Sequence, residues 1–219
     1  MFQNIAEITM LALVDAINPC TLAVQALLLS ALLITKGRKE ALLGGILFSI
    51  TILIMYFLYG MGILQIIYAS GIESVIRILL KSLLLIMIIL ELSAYFRYRP
   101  GFTSMEMPTR FRPITKKLLS SVEDARIAPV IAVMCSILLL PCSSGPYVAM
   151  LMIIRNMQIF QKILSLLYYN IIFILPMIGI TLAIFFGTSP EKIMKLRNRY
   201  IRELHLIAGI LLILVFLMT

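Results

Sequence analysis

The chain has 219 residues, 62% of them hydrophobic and 13% charged, with a formal net charge of +9. Soluble globular domains run nearer half apolar and a quarter charged, so a water-soluble monomer is excluded; disorder is excluded because too little polar surface is present to keep the chain solvated. The basic residues fall between apolar runs and do not gather on one solvated face, which argues against a nucleic-acid binder. A span takes about 20 residues plus a connection, so a polytopic membrane protein of this length holds roughly six.

In chain order, Met1 to Met10 carries no Lys or Arg and lacks the basic start of a cleaved signal peptide, so this stretch is expected to be retained. The first span reads Ile8 to Ile34, interrupted only by Asp15, and the second Ala41 to Ile72 without a charge. The third, Ile78 to Phe96, contains Lys81 and Glu91, whose long side chains can snorkel toward an interface. Arg97 to Arg126, with Pro100, Pro108 and Pro113, is the basic connection that follows. The fourth and fifth spans, Ile127 to Ile154 and Ile163 to Pro190, are again free of charge. The sixth, Leu204 to Thr219, has Arg202 and Glu203 at its entrance.

Fifteen of the nineteen basic residues lie in the connections after spans one, three and five. Only Arg77, Lys81, Arg155 and Lys162 belong to the other side. The positive-inside rule then puts those three connections in the cytoplasm and both termini outside the cell membrane.

A shift of 122 residues lays one half of the chain on the other: Pro19-Cys20 falls on Pro141-Cys142, and Arg77 on Arg199. Three spans per half is an odd number, so the halves have opposite orientations. The expected fold is all-α, six transmembrane helices as two inverted three-helix repeats, residues 1–96 and 127–219, joined by a cytoplasmic linker at 97–126. In such folds the functional site lies near the midplane where the repeats meet.

The Pro-Cys pairs fall there. Proline inside a membrane helix frees the carbonyl four residues earlier and loosens the backbone. Breaks are therefore expected at Pro19, Pro141 and Pro146, with Gly145 adding freedom. Each cysteine then starts a half-helix, whose N-terminal dipole favours a thiolate. Asn18, Thr21, Ser143 and Ser144 are placed to supply hydrogen bonds. Asp15 either accepts protons released as thiols are oxidised or sits hydrated near the outer interface. Cys135 and Cys142, seven residues apart on one span, are separated by roughly 10 Å along a helix, too far for a disulfide. Cys20 and Cys142 can pair if spans one and four cross, whereas Cys135 reads as a small buried hydrophobe. Glu91 is expected to pair with Arg97 and His205 to sit at an interface. Tyr168, Tyr169 and Asn170 read mainly as packing contacts.

With Asn18-Pro19-Cys20 in the first span and Pro141-Cys142-Ser143-Ser144-Gly145-Pro146 in the fourth, the chain resembles the CcdA family, small relatives of the membrane domain of DsbD. It differs from the commonest pattern in having Ala23 and Val24 where further prolines often follow the first cysteine, and a Gly-Pro one residue later. The resemblance covers nearly the whole chain. It implies that Cys20 and Cys142 form a redox pair carrying two electrons from cytosolic thioredoxin to an extracytoplasmic thioredoxin-like protein, often in the service of cytochrome c maturation. No cofactor or metal is expected in that role. The same architecture also suits a secondary transporter or a soft-metal pathway, because two midplane thiolates favour Cu(I)-type ions.

Overall fold

The computed structural model describes residues 2–17, 19–70, 73–96 and 124–218. Asn18, most of the 97–126 linker, and the side chains of Pro19, Cys20, Pro141, Cys142 and Ser144 lie outside the described residues. Among those described, the chain is helical throughout, with no strand. The helices are α1 (Phe2–Ala16), α2 (Pro19–Lys36), α3 (Arg38–Ser70), α4 (Glu73–Phe96), α5 (Ala128–Ile154), α6 (Ile159–Phe185), α7 (Pro190–Arg199) and α8 (Ile201–Met218). A short 3₁₀ turn, Ala125–Ile127, leads into α5 and is capped by Asp124, whose carboxylate accepts from the Arg126 amide at 2.9 Å.

Local chemistry sets the boundaries. Proline lacks an amide hydrogen and suits the first turn of a helix, so Pro19 opens α2 where an unbroken span would have continued. The axis bends by 47° between the two pieces. Gly37, at φ 88°, ends α2 in the left-handed region open to glycine, and its amide bonds to the Leu33 carbonyl at 3.2 Å. Gly187, at φ 113°, closes α6 in the same way.

Just beyond, Ser189 caps α7 by accepting from the Lys192 amide, Pro190 takes the first helical position, and Glu191 faces the helix dipole. This ten-residue helix occupies part of what reads as a plain basic connection, and it meets α8 at a bend of 59°. α5 is helical without a gap from Ala128 to Ile154, so the backbone is not interrupted at Pro141 and Pro146, where breaks are expected from the sequence. A proline removes one ladder bond, and a membrane helix can continue past it when neighbouring helices hold it in place.

Among the described residues, two helices are long and apolar enough to cross a membrane, α3 over Arg38–Gln65 and α6 over Ile159–Phe185; counting each bent pair, α1 with α2 and α7 with α8, as one span makes four. α4 and α5 add the apolar stretches Leu84–Phe96, Ala125–Leu139 and Gly145–Ile154. The surfaces agree with a lipid surrounding. Ile50, Ile54 and Leu58 on α3 lie one turn apart and exposed, as do Val130, Met134 and Ile137 on α5, and Leu164, Leu167, Ile171 and Leu175 on α6. The interior holds the polar residues Asp15, Gln25, Ser143, Asn170, Thr181 and His205. A water-soluble bundle would have these two sets the other way round.

α3 and α6 form the central pair. α5 packs on α3, and α1 lies against both α5 and α6. α4 and α8 form a second close pair that touches α5 and α1 respectively, while α2 reaches α3, α6 and α7. Gly45 lets α3 approach Thr181 of α6 and Leu29 of α2, and Gly60 makes room for the Tyr147 hydroxyl. Gly62 and Gly179 face open space and take no part in packing.

Candidate functional site

Asp15 occupies the last turn of α1, just before the Pro19 break, and is 1% exposed. A surface-hydrated carboxylate is thereby excluded. The Tyr169 hydroxyl of α6 donates to its Oδ2 at 3.1 Å, and the buried Ser143 hydroxyl of α5 lies beside it. One turn along α5, Tyr147 donates to the backbone carbonyl of Tyr56 on α3 and lies next to Asn170. Three ring contacts knit these groups: Tyr56 with Tyr147 at 5.5 Å, Tyr147 with Tyr169 at 5.5 Å, and Tyr56 with Phe173 at 4.9 Å. Four helices thus contribute one buried polar cluster.

The cluster is under-satisfied. Among the described residues, Asp15 Oδ1, Ser143 Oγ and both amide atoms of Asn170 are buried without a hydrogen-bond partner. Each such group costs about 1–3 kcal/mol when left alone. The Ser143 hydroxyl and the Asn170 amide add three such atoms to the Asp15 oxygen; a packed apolar core does not collect them, whereas a site that receives water or a reacting group does. A second polar set sits at one flank, where Gln25 Nε2 of α2 donates to Thr181 Oγ1 of α6 at 2.8 Å and lies 3.4 Å from the Gly45 carbonyl.

On the other flank, His205 Nδ1 of α8 lies 2.6 Å from Glu91 Oε2 of α4, and both residues are buried. Glu91 thus meets His205 inside the bundle, while Arg97, its expected partner, lies outside the described residues. His205, near the start of α8, is 1% exposed. Between the pair and Asp15 is a small cavity of about 20 Å³, walled by Ile17, Met87, Pro146 and Ala208. That volume suits about one water molecule.

Of the residues singled out in the sequence, Asp15, Ser143 and Pro146 meet here, and Gly145 supports them by giving Met87 of α4 the space that a Cβ would fill. Thr21 is buried in the first turn of α2. Cys135 is a buried free thiol on α5. No family model, curated protein or solved structure matches this chain. The chemistry of the site therefore has to come from its own residues. Among those described, no three His, Cys, Asp or Glu side chains gather as a metal-binding set.

Tyr56 and Tyr147 carry no mark in the sequence that sets them apart from other aromatic residues of the spans, and Tyr169 and Asn170 read there mainly as packing. Tyr168, beside them in the chain, points elsewhere and bonds Thr9 of α1 at 3.0 Å. The available signal was helical spacing. Tyr147 lies four residues after Ser143 and so shares its face.

Proposed function

We propose that this chain is a membrane thiol-disulfide oxidoreductase of the cell membrane, with six spans arranged as two inverted three-helix repeats and both termini extracytoplasmic. Cytosolic thioredoxin reduces a Cys20–Cys142 disulfide, and the resulting dithiol reduces an extracytoplasmic thioredoxin-like protein, in a role such as cytochrome c maturation. The observation that supports this reading is one buried polar cluster that takes a residue from beside each Pro-Cys pair. Asp15, one turn before Pro19, lies beside Ser143, the residue after Cys142.

Helix packing supports the repeat. Exchanging α1 and α2 with α5, α3 with α6, and α4 with α7 and α8 returns the same set of neighbours. The α3–α6 and α4–α8 pairs map onto themselves, α3–α5 maps onto α6–α1, and α4–α5 onto α8–α1. The 122-residue shift also lays Gln25 on Tyr147, and each reaches across to the opposite central helix. The orientation has support as well. Glu40 at the start of α3 accepts from the Ala125 amide in the 3₁₀ turn before α5, at 3.4 Å, so two of the segments assigned to the cytoplasm share one end of the bundle.

The chemistry is thiol exchange. A partner thiolate attacks the disulfide, a mixed disulfide forms, and the partner's second thiol resolves it, leaving the cysteine pair reduced by two electrons. On the outer side the dithiol repeats these steps as the attacking party. A continuous pore would leak ions, so the site opens to one side at a time, with the bend before Pro19 as the natural pivot.

Alkylation gel shifts test the reading. Wild type should show a reducible intramolecular bond that is lost in Cys20→Ser and in Cys142→Ser, and the single variants should trap thioredoxin as a mixed disulfide. Absence of both species, with Cu(I) protecting the two thiols from alkylation, would favour a soft-metal pathway instead.

A further inference from the structure

Thiol exchange moves protons as well as electrons. Three buried ionisable groups, Asp15, Glu91 and His205, have no role in the electron steps themselves. They come from α1, α4 and α8 and line one cavity of about 20 Å³. Asp15 Oδ1 is buried with no hydrogen-bond partner among the described residues. A water in that cavity would have the Asp15 carboxyl on one side and the His205–Glu91 pair on the other, with the 2.6 Å contact of the pair continuing the line. Glu91 lies five residues before the end of α4, and His205 four residues after the start of α8. Both ends adjoin the basic segments assigned to the cytoplasm.

We propose that Asp15 is the proton donor and acceptor of the thiol site, and that it exchanges protons with the cytoplasmic face through a cavity water and the His205–Glu91 pair. This rests on the thiol-disulfide reading. When a partner thiolate breaks the Cys20–Cys142 bond, one cysteine joins the mixed disulfide and the other leaves as a thiolate, which takes a proton from Asp15. Asp15 regains a proton from the cavity water, and that water from the pair. The partner's second thiol loses its proton to solvent and breaks the mixed disulfide. The remaining cysteine leaves as a thiolate and is protonated by the same route. Counted from its dithiol, whose attacking thiol gives its proton to solvent as the thiolate forms, the partner gives up two electrons and two protons, and the cysteine pair gains two electrons and two protons. Outward transfer runs the steps in reverse, so proton exchange stays with one face while electrons cross.

The groups around this path can be named. Tyr169 from α6, with Ser143 and Tyr147 from α5, face Asp15. Glu91 from α4 faces His205, whereas Arg202 and Glu203 on α8 point outward and are exposed. Among the described residues of α5, Pro146 lines the cavity.

The test uses the purified full-length protein. The first reading is the rate at which dithiothreitol reduces the cysteine pair at neutral pH. Asp15→Asn and Glu91→Gln should each slow it about a hundredfold, the lower end of general acid–base effects. Ala208→Val should do the same by filling the cavity, although it alters no titratable group. Rates within twofold of wild type in all three variants would overturn the proposal. The second reading is independent of the thiols. His205 is the sole histidine, so its ring ¹⁵N resonances report one site. They should move in both Asp15→Asn and Ala208→Val, and unchanged resonances would overturn the proposal. If wild type forms no Cys20–Cys142 bond while His205 still responds to Asp15, the redox reading falls and the proton connection stands.

Discussion

Tyr169 holds Asp15 across the α6–α1 interface: its hydroxyl donates to Oδ2 at 3.1 Å, with both residues almost completely buried. The contact joins residues 154 positions apart and ties the helix before the Pro19 break to the central pair. Replacing Tyr169 with Phe removes the donor and leaves the carboxyl oxygen buried without it. The variant should lose about 1–3 kcal/mol of stability. Asp15→Asn combined with Tyr169→Phe should cost less than the sum of the two singles, because one interaction is removed in each. Circular-dichroism melts in detergent measure both effects, and additive losses would show that the contact is not energetically coupled.

The α3–α6 approach depends on Gly45. A Cβ there would sit 2.5 Å from Thr181 Cγ2 and 2.6 Å from Thr181 Oγ1. Gly45→Val should therefore push α6 away, break the Gln25–Thr181 hydrogen bond and destabilise the bundle by about 1–3 kcal/mol, the usual range for overpacking. Gly62→Val, at a position with nothing within 4 Å, is the control and should change stability by less than about 1 kcal/mol, the helix-propensity difference of a valine against a glycine. Thermal midpoints of the two variants compared side by side decide the point.

Individual elements show how far the sequence reaches. The apolar run Ile127 to Ile154 forms the helix α5 at Ala128–Ile154, because a charge-free run bounded by Arg126 and Arg155 has well-marked ends. The break before Cys20 was legible because proline suits the first turn of a helix, but the same rule did not carry to Pro141 and Pro146, through which α5 continues. α7 was not, because its basic residues read as topogenic charge and hid a helix that Ser189 and Pro190 start. The Glu91–His205 contact joins residues 114 apart and depends on α4 lying against α8, a tertiary relation that no local pattern contains. Asp15, Ser143 and Pro146 stand out one by one in the sequence; only the packing of α1 on α5 makes them a single place.

The α7 cap gives a local prediction. Ser189→Ala removes the side-chain acceptor for the Lys192 amide and should cost about 1 kcal/mol of helix stability. Amide hydrogen exchange over residues 190–196 should speed up severalfold, while exchange in α3 stays as in wild type. Equal protection in the variant and wild type would mean that the rest of the bundle, and not the cap, holds α7.

A double-mutant cycle examines the buried pair on the far side of the cavity. His205→Gln and Glu91→Gln each leave a buried polar partner without its neighbour, so each should destabilise. The double variant should be less harmful than the sum of the singles by about 1 kcal/mol or more, as expected for residues in one hydrogen-bonded contact. Additivity would show that the 2.6 Å contact contributes nothing to stability.

The central claim is that two cysteines carry electrons from one face of the membrane to the other. Proteoliposomes that enclose an oxidised redox-sensitive fluorescent protein and receive reduced thioredoxin outside read this directly. The enclosed reporter should be reduced only when the vesicles carry the wild-type protein, and both Cys20→Ser and Cys142→Ser should abolish the signal while Cys135→Ser keeps it. A reporter that stays oxidised with the wild-type protein in the membrane, or one reduced equally well by the Cys20→Ser and Cys142→Ser variants, would contradict the account.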